Sequence, residues 1–293
     1  MNKNRPLYVV LTLVLITAMV LVALFLPTRV GRQWWLWAWI INLALLFVLL
    51  GTISLSVGAD GGWWAFLVNE QRMVSLSRFQ IVLWTLVVLS GFWTIGLARV
   101  GDSTNPAHAA AYVCAAPAEG ETPPGEETPC ADPLGLQLPE VLWGLMGIST
   151  TTAVLSPLIK ADKGRRSSSR GDQDAYGLML AQSVQSARLD ADEFGFEGAI
   201  AVRNPGYAPR FSDLFMGELV SNLGYVDINK VQNFLFTVMA VVSYAIALGA
   251  AIAGAGSIAA LFQFPDVSAS LLAILGISHT GYLVGKAVTN PPA

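Results

Sequence analysis

The chain has 293 residues, 54% of them hydrophobic and only 13% charged, against about 25% charged in a soluble domain. That balance excludes a soluble globular protein and puts the chain in a bilayer. A formal net charge of −3 gives nucleic acid no basic footprint, and none is expected as a partner.

Six apolar runs follow in chain order: Leu7–Leu26, Trp34–Val57, Phe79–Ala98, Leu138–Ile159, Val231–Ala253 and Ser268–Gly285. Each is long enough to cross about 30 Å of hydrocarbon, and in lipid each must satisfy its own backbone as a helix. None carries Asp, Glu, Lys or Arg apart from the edge residue Glu140. The expected fold class is therefore all-α, a polytopic transmembrane protein of six spans. The first run is longer than a signal-peptide core and no small-x-small cleavage site follows it, so it is expected to be retained.

Cations set the orientation. Lys3 and Arg5 precede the first span, and "KADKGRRSSSR", opening at Lys160, follows the fourth. From Gly101 to Glu140 there are seven carboxylates and no Lys or Arg. Both termini are thus expected in the cytoplasm of a bacterial inner membrane, although Arg29 and Arg32, in a tight turn, run against the rule. Cys114 and Cys130, the only cysteines, share the outward acidic loop and are expected to form a disulfide. A metal is not expected there, because His108 is the one other soft ligand nearby and zinc takes four.

One stretch occurs twice. "VSLSRFQ" at Val74–Gln80 is echoed by "VDINKVQ" at Val226–Gln232. Ser77 with Gln80, and Asn229 with Gln232, have the spacing of a capping box at a helix start. Thr85 and Thr237 continue the echo, as do "LWGLMGIS" (Leu142–Ser149) and "LLAILGIS" (Leu271–Ser278), with Pro139 and Pro265 ahead of the latter pair. Upstream, "FLVNE" at Phe66–Glu70 faintly resembles "FMGE" at Phe215–Glu218. Both copies start on the same side, so the repeat is expected to be parallel, about a two-fold along the membrane normal.

The expected organisation is a transmembrane hairpin (1–57), a first repeat (58–160), a cytoplasmic loop (161–210) and a second repeat (211–293). The hairpin carries "WWLWAW" (Trp34–Trp39), expected at the outer interface. Within the loop, "DAYGLMLAQSVQSARL" reads as an amphipathic helix and "RNPGYAPRF" as a turn-rich linker. A second amphipathic helix is expected in "SDLFMGELVSNLG", capped by Ser212.

The pairing of "SRFQIVLWT" with "LMGIS", and of "PRFSDLF" and "VQNFLFT" with "LLAILGISHTGYLVGK", resembles a family of uncharacterised bacterial multi-pass membrane proteins over roughly residues 66–286. The resemblance implies the topology and the duplication. It implies no catalytic residue.

Polar residues inside the spans gather at two depth-matched places: Ser149, Thr150, Thr151 and Thr152, and Ser278, His279 and Thr280. His279 is read either as a hydrogen-bonded structural residue or as a gating group. Gly147, Gly276 and the row Ala245, Gly249, Ala253 are small residues suited to close helix packing, within the chain or between copies. No phosphate-cradling glycine motif or metal spacing occurs, two histidines cannot make a bis-histidine haem site, and no cofactor is expected. The scarcity of intramembrane charge argues against ion-coupled transport. The expected function is a non-enzymatic membrane subunit or scaffold, partnered by lipid and by copies of itself or another protein. The alternative is a passive channel lined by the two hydroxyl clusters. A remote one is an intramembrane serine hydrolase with Ser149 and His279 as a dyad.

Overall fold

The computed structural model describes residues 5–57, 62–112, 132–165 and 170–288. Cys114 and Cys130, and with them the expected disulfide, lie outside the described residues. Eight α-helices and one hairpin make up the described fold: α1 (Arg5–Phe25), α2 (Trp35–Val57), α3 (Leu76–Trp84), α4 (Ser90–Ser103), α5 (Glu140–Arg165), α6 (Arg170–Ser186), β1 (Phe194–Glu197), β2 (Ile200–Arg203), α7 (Ile228–Gly254) and α8 (Ala269–Val288). A π-helical turn, Thr85–Leu89, joins α3 and α4 into one rod.

Five segments are long and apolar enough to cross a membrane: Pro6–Thr28, Arg32–Val57, Leu76–Ser103, Glu140–Asp162 and Ile228–Gly254. The sixth expected span folds as α8 and is not among these five. The outward faces are apolar, with Leu7, Ile246 and Ile277 well exposed, which suits lipid as the surrounding solvent.

The α3–α4 rod runs through the centre. α1 and α2 pack against α4, α5 and α7 against α3, α2 also touches α7, and α8 lies against α5 and α7. Trp35, Trp39, Trp84, Leu145, Tyr244 and Phe264 belong to the main core. The expected aromatic belt therefore divides: Trp34 and Trp37 are exposed, while Trp35 and Trp39 point inward. The inward pair satisfies its indole N–H groups, Trp35 at the Pro27 carbonyl (3.1 Å) and Trp39 at Ser90 Oγ (3.0 Å). Asn42 likewise bonds Thr94 across the α2–α4 contact, at 3.0 Å.

The capping-box expectation needs correcting. α3 starts two residues earlier than expected, with Ser75 at its N-cap, and Ser77 lies buried inside the helix. Gln80 reaches not back to a cap but across to Thr237 Oγ1 on α7, at 2.9 Å. α7 is capped by Asp227, whose carboxylate accepts from the amides of Asn229 and Lys230, so Asn229 is not the cap. Asp227 stands two residues before Asn229, where its carboxylate reaches the first free amides, and it carries charge complementary to the helix N-terminus. Gln232 points outward.

α3 and α7 are nevertheless led into by one pattern. The Ser75 amide bonds the Leu67 carbonyl and the Asp227 amide bonds the Phe215 carbonyl, both at 2.8 Å. Asn69 N–H meets the Met73 carbonyl at 3.0 Å, and Gly217 N–H meets that of Tyr225 at 3.1 Å. Val68 bridges Val74, and Met216 bridges Val226. The cation one turn into each helix then turns back: Arg78 bonds the Val68 carbonyl and pairs with Glu70, and Lys230 bonds the Met216 carbonyl and pairs with Glu218. At the other end of the bundle Gln137 and Gln263 form a parallel bridge, each two residues before Pro139 or Pro265.

Between α5 and α7 the chain folds into a small cap. α6, which the periodicity anticipates, packs Tyr176, Leu180 and Val184 onto Phe194, Ile200 and Val220. β1 and β2 pair antiparallel through a tight turn at Gly198, whose φ of 60° glycine adopts without strain. The helix expected from Ser212 does not form. Phe211–Leu214 is a single 3-10 turn, and the backbone beyond it is spent on β2 and its turn: Ala201 N–H bonds the Glu218 carbonyl and Val220 N–H that of Ala199, both at 3.0 Å. Ser212 is not its cap; Arg210 occupies that position.

Candidate functional site

The residues expected near the midplane come together only in part. Ser149, Thr152, Ser278 and His279 are buried, on the packed helices α5 and α8. The Thr152 hydroxyl donates to the Ile148 carbonyl at 2.9 Å, so its oxygen accepts from His279 Nδ1–H at 2.8 Å. That bond places a proton on Nδ1 of the imidazole. The hydrogen bond His279 makes through Nδ1 thus goes to Thr152 and not to Ser149. Thr150, Thr151 and Thr280 face outward, Thr150 returning its proton to the Met146 carbonyl at 2.8 Å.

The small residues also separate. At Gly249 a Cβ would meet the Trp39 ring at 3.1 Å, so this glycine serves the α2–α7 contact within the chain. Ala245 packs on the main core and Ala253 is exposed. At Gly276 a Cβ would stand 3.7 Å from Ile148, an ordinary contact with α5. At Gly147 nothing lies within 4 Å, and the residue floors a shallow outer groove walled by Trp143, Thr150, Thr151 and Val154.

The strongest concentration of chemistry lies elsewhere, where the cap meets the ends of α5, α7 and α8. Lys160 from α5, Lys230 from α7 and Lys286 from α8 converge on Glu218. Lys160 and Lys286 approach Glu218 Oε2 at 3.0 and 2.6 Å, and Lys230 approaches Oε1 at 2.9 Å. Each ammonium has further acceptors. Lys160 bonds Gln71 Oε1 at 2.6 Å, Lys230 the Met216 carbonyl at 2.7 Å, and Lys286 bonds Ser156 Oγ at 2.6 Å and Tyr282 Oη at 3.1 Å. All four charged side chains are at most 16% exposed. Burial alone would push the Glu218 carboxyl up; the three ammonium groups outweigh it and hold the carboxyl well below the usual carboxylate range. A carboxylate so firmly ionised is no proton acceptor at neutral pH. These residues line a cavity of about 300 Å³, with Asn222, Tyr225 and Ile228 on other walls.

A second ionic group braces the cap. Arg203 is 1% exposed, pairs with Glu193 and with Asp213 (2.6 Å), and lies over the Phe194 ring at 4.9 Å. Its partners are cap residues, so its role is to fix the hairpin against the Phe211–Leu214 turn. Among the described residues no group of three or more His, Cys, Asp or Glu is placed to hold a metal ion.

Compared with family models, curated proteins and solved structures, the chain gives no significant match to any.

The lysine cluster was present in the sequence as three separate lysines at the ends of apolar runs. There each reads as an interfacial anchor. The available signal was Glu218, a lone carboxylate in the apolar segment "LFMGELV".

Proposed function

We propose that the chain is a six-span protein of a bacterial inner membrane, with both termini cytoplasmic, α8 as the sixth span, and a parallel duplication of a two-helix module behind an N-terminal hairpin. The matched lead-in hydrogen bonds of α3 and α7 support the duplication. The parallel Gln137–Gln263 bridge supports its axis, because a two-fold along the strand direction leaves paired strands parallel. The resemblance to uncharacterised multi-pass membrane proteins agrees with it.

The protein acts as a non-enzymatic subunit or scaffold through helix–helix association. The observation that carries this reading is the uncovered groove over Gly147, where a small residue one turn from Thr151 admits a second helix to backbone distance. At Gly249, by contrast, the chain already supplies its own partner helix. The test is the mass of particles extracted from native membrane into lipid nanodiscs. A multiple of the chain mass, or a stoichiometric second polypeptide, that is lost in Gly147→Leu supports association. A lone chain in both wild type and variant ends it. The channel reading survives only between copies, since Thr150, Thr151 and Thr280 face outward; ion flux through a closed homo-oligomer in liposomes favours it.

A further inference from the structure

We propose that the cavity between the cap and the ends of α5, α7 and α8 binds a phosphodiester-type phosphate group. This is independent of the assembly reading.

The argument begins with charge. Three ammonium groups and one carboxylate face one cavity, each at most 16% exposed. The other carboxylate on the wall, Asp227, is committed to the start of α7, where it accepts from the amides of Asn229 (3.0 Å) and Lys230 (3.4 Å). With both carboxylates counted, the lining keeps one positive charge over, the charge that a singly ionised phosphodiester neutralises. Lysines serve phosphate well, as compact point charges that need no planar match.

Shape agrees. A space of about 300 Å³ takes a phosphate with a small substituent. Tyr225, Val226 and Ile228 line it and are all strongly exposed, so the rim is apolar beside a cationic interior. That pairing suits a group with an anionic head and an apolar remainder. The lysines come from three different helices and Glu218 from the cap, so the site exists only when cap and helix bundle are docked. Binding would tighten that docking by mass action.

Two sources could supply the group: an anionic phospholipid from the surrounding leaflet, or a soluble phosphate from the aqueous side. The experiment uses the full chain in nanodiscs. One arm compares phosphatidylcholine discs with discs containing phosphatidylglycerol, reading lipid retained per chain by native mass spectrometry after delipidation. The other titrates inorganic phosphate against acetate at equal ionic strength in phosphatidylcholine discs, reading the melting temperature. Retention of one phosphatidylglycerol per chain supports the site with a lipid source. A saturable rise in melting temperature with phosphate supports it with a soluble source. Either effect should weaken by at least about tenfold in Lys160→Gln, which keeps hydrogen-bonding capacity and removes one charge. Val226→Trp fills the mouth while leaving every charge in place, and should do the same if Lys160→Gln fails to fold. No response in either arm overturns the proposal. So does acetate acting as strongly as phosphate, or a response unchanged in Val226→Trp.

Discussion

Gln80 and Thr237, 157 residues apart, meet in the interior with Gln80 Nε2 donating to Thr237 Oγ1 at 2.9 Å. Both side chains are fully buried. They belong to the stretch that the sequence states twice, yet the bond crosses from one occurrence to the other. It ties the second turn of α3 to the third turn of α7.

Breaking that bond from one side leaves a buried amide or hydroxyl without its partner. Thr237→Val should therefore destabilise the protein by about 1 kcal/mol, near the upper part of the range for interhelical hydrogen bonds in membranes. The double variant Gln80→Leu with Thr237→Val removes both polar groups and should recover part of the loss. A double-variant cycle in denaturant-induced unfolding checks this; strict additivity of the two single changes would show that the bond contributes nothing.

Gly51 sits where α2 touches the indole of Trp63. A Cβ there would come within 2.2 Å of ring carbon, too close for anything but displacement of the ring. Gly51→Ala should cost about 1–3 kcal/mol through overpacking. Gly276→Ala, whose Cβ meets only Ile148 at 3.7 Å, should be neutral or slightly stabilising because alanine favours helix. Melting temperatures of the two variants, measured side by side, decide it. Equal losses would mean that helix propensity and not the Trp63 contact sets the outcome.

The apolar runs were readable because about 20 residues of hydrocarbon-compatible sequence admit only one backbone solution. α6 was readable for its periodicity. The β1–β2 hairpin was not, since four-residue strands carry almost no periodic signal and Gly198 marks the turn only in hindsight. The Ser212 helix failed because its apolar residues satisfy a helical spacing while its backbone is claimed by β2, a tertiary demand that overrides propensity. The lysine cluster needed three helix ends and a cap to be brought together, and nothing local in "LIKAD", "INKVQ" or "LVGKA" states that Lys160, Lys230 and Lys286 share one glutamate.

Acid should reveal Glu218. Its folded-state carboxyl is held well below the usual range, against about 4.3 for a free glutamate. A depressed folded pKa contributes stability that is fully present above the unfolded value and is lost as pH falls through the folded one. Stability should thus be unaffected by this group from neutrality down to about pH 5 and decline below about pH 4. Glu218→Gln should lower stability at neutral pH and flatten the acid limb. Melting curves across pH for both proteins test the sign; a wild-type transition centred near pH 6 that vanishes in Glu218→Gln would contradict it.

Arg99 closes the other end of the bundle. It is fully buried, and its guanidinium donates to the carbonyls of Pro133 (3.2 Å), Asp132 (2.8 Å) and Ala259 (2.5 Å) while lying 5.4 Å from the Tyr112 ring centroid. Those carbonyls belong to the segments leading into α5 and out of α7, so one fixed fork holds both to α4. Lysine keeps the charge but presents no planar fork. Arg99→Lys should therefore cost about 2–3 kcal/mol, the range for hydrogen bonds to a charged group that are lost in a buried site. Arg99→Met should cost no less, because the three carbonyls lose every donor. Thermal unfolding gives the magnitudes, and protease susceptibility around residues 132–133 and 255–261 should rise in both variants. If Arg99→Met melts with the wild type, the carbonyls are satisfied some other way and the clamp is not what holds these segments to α4.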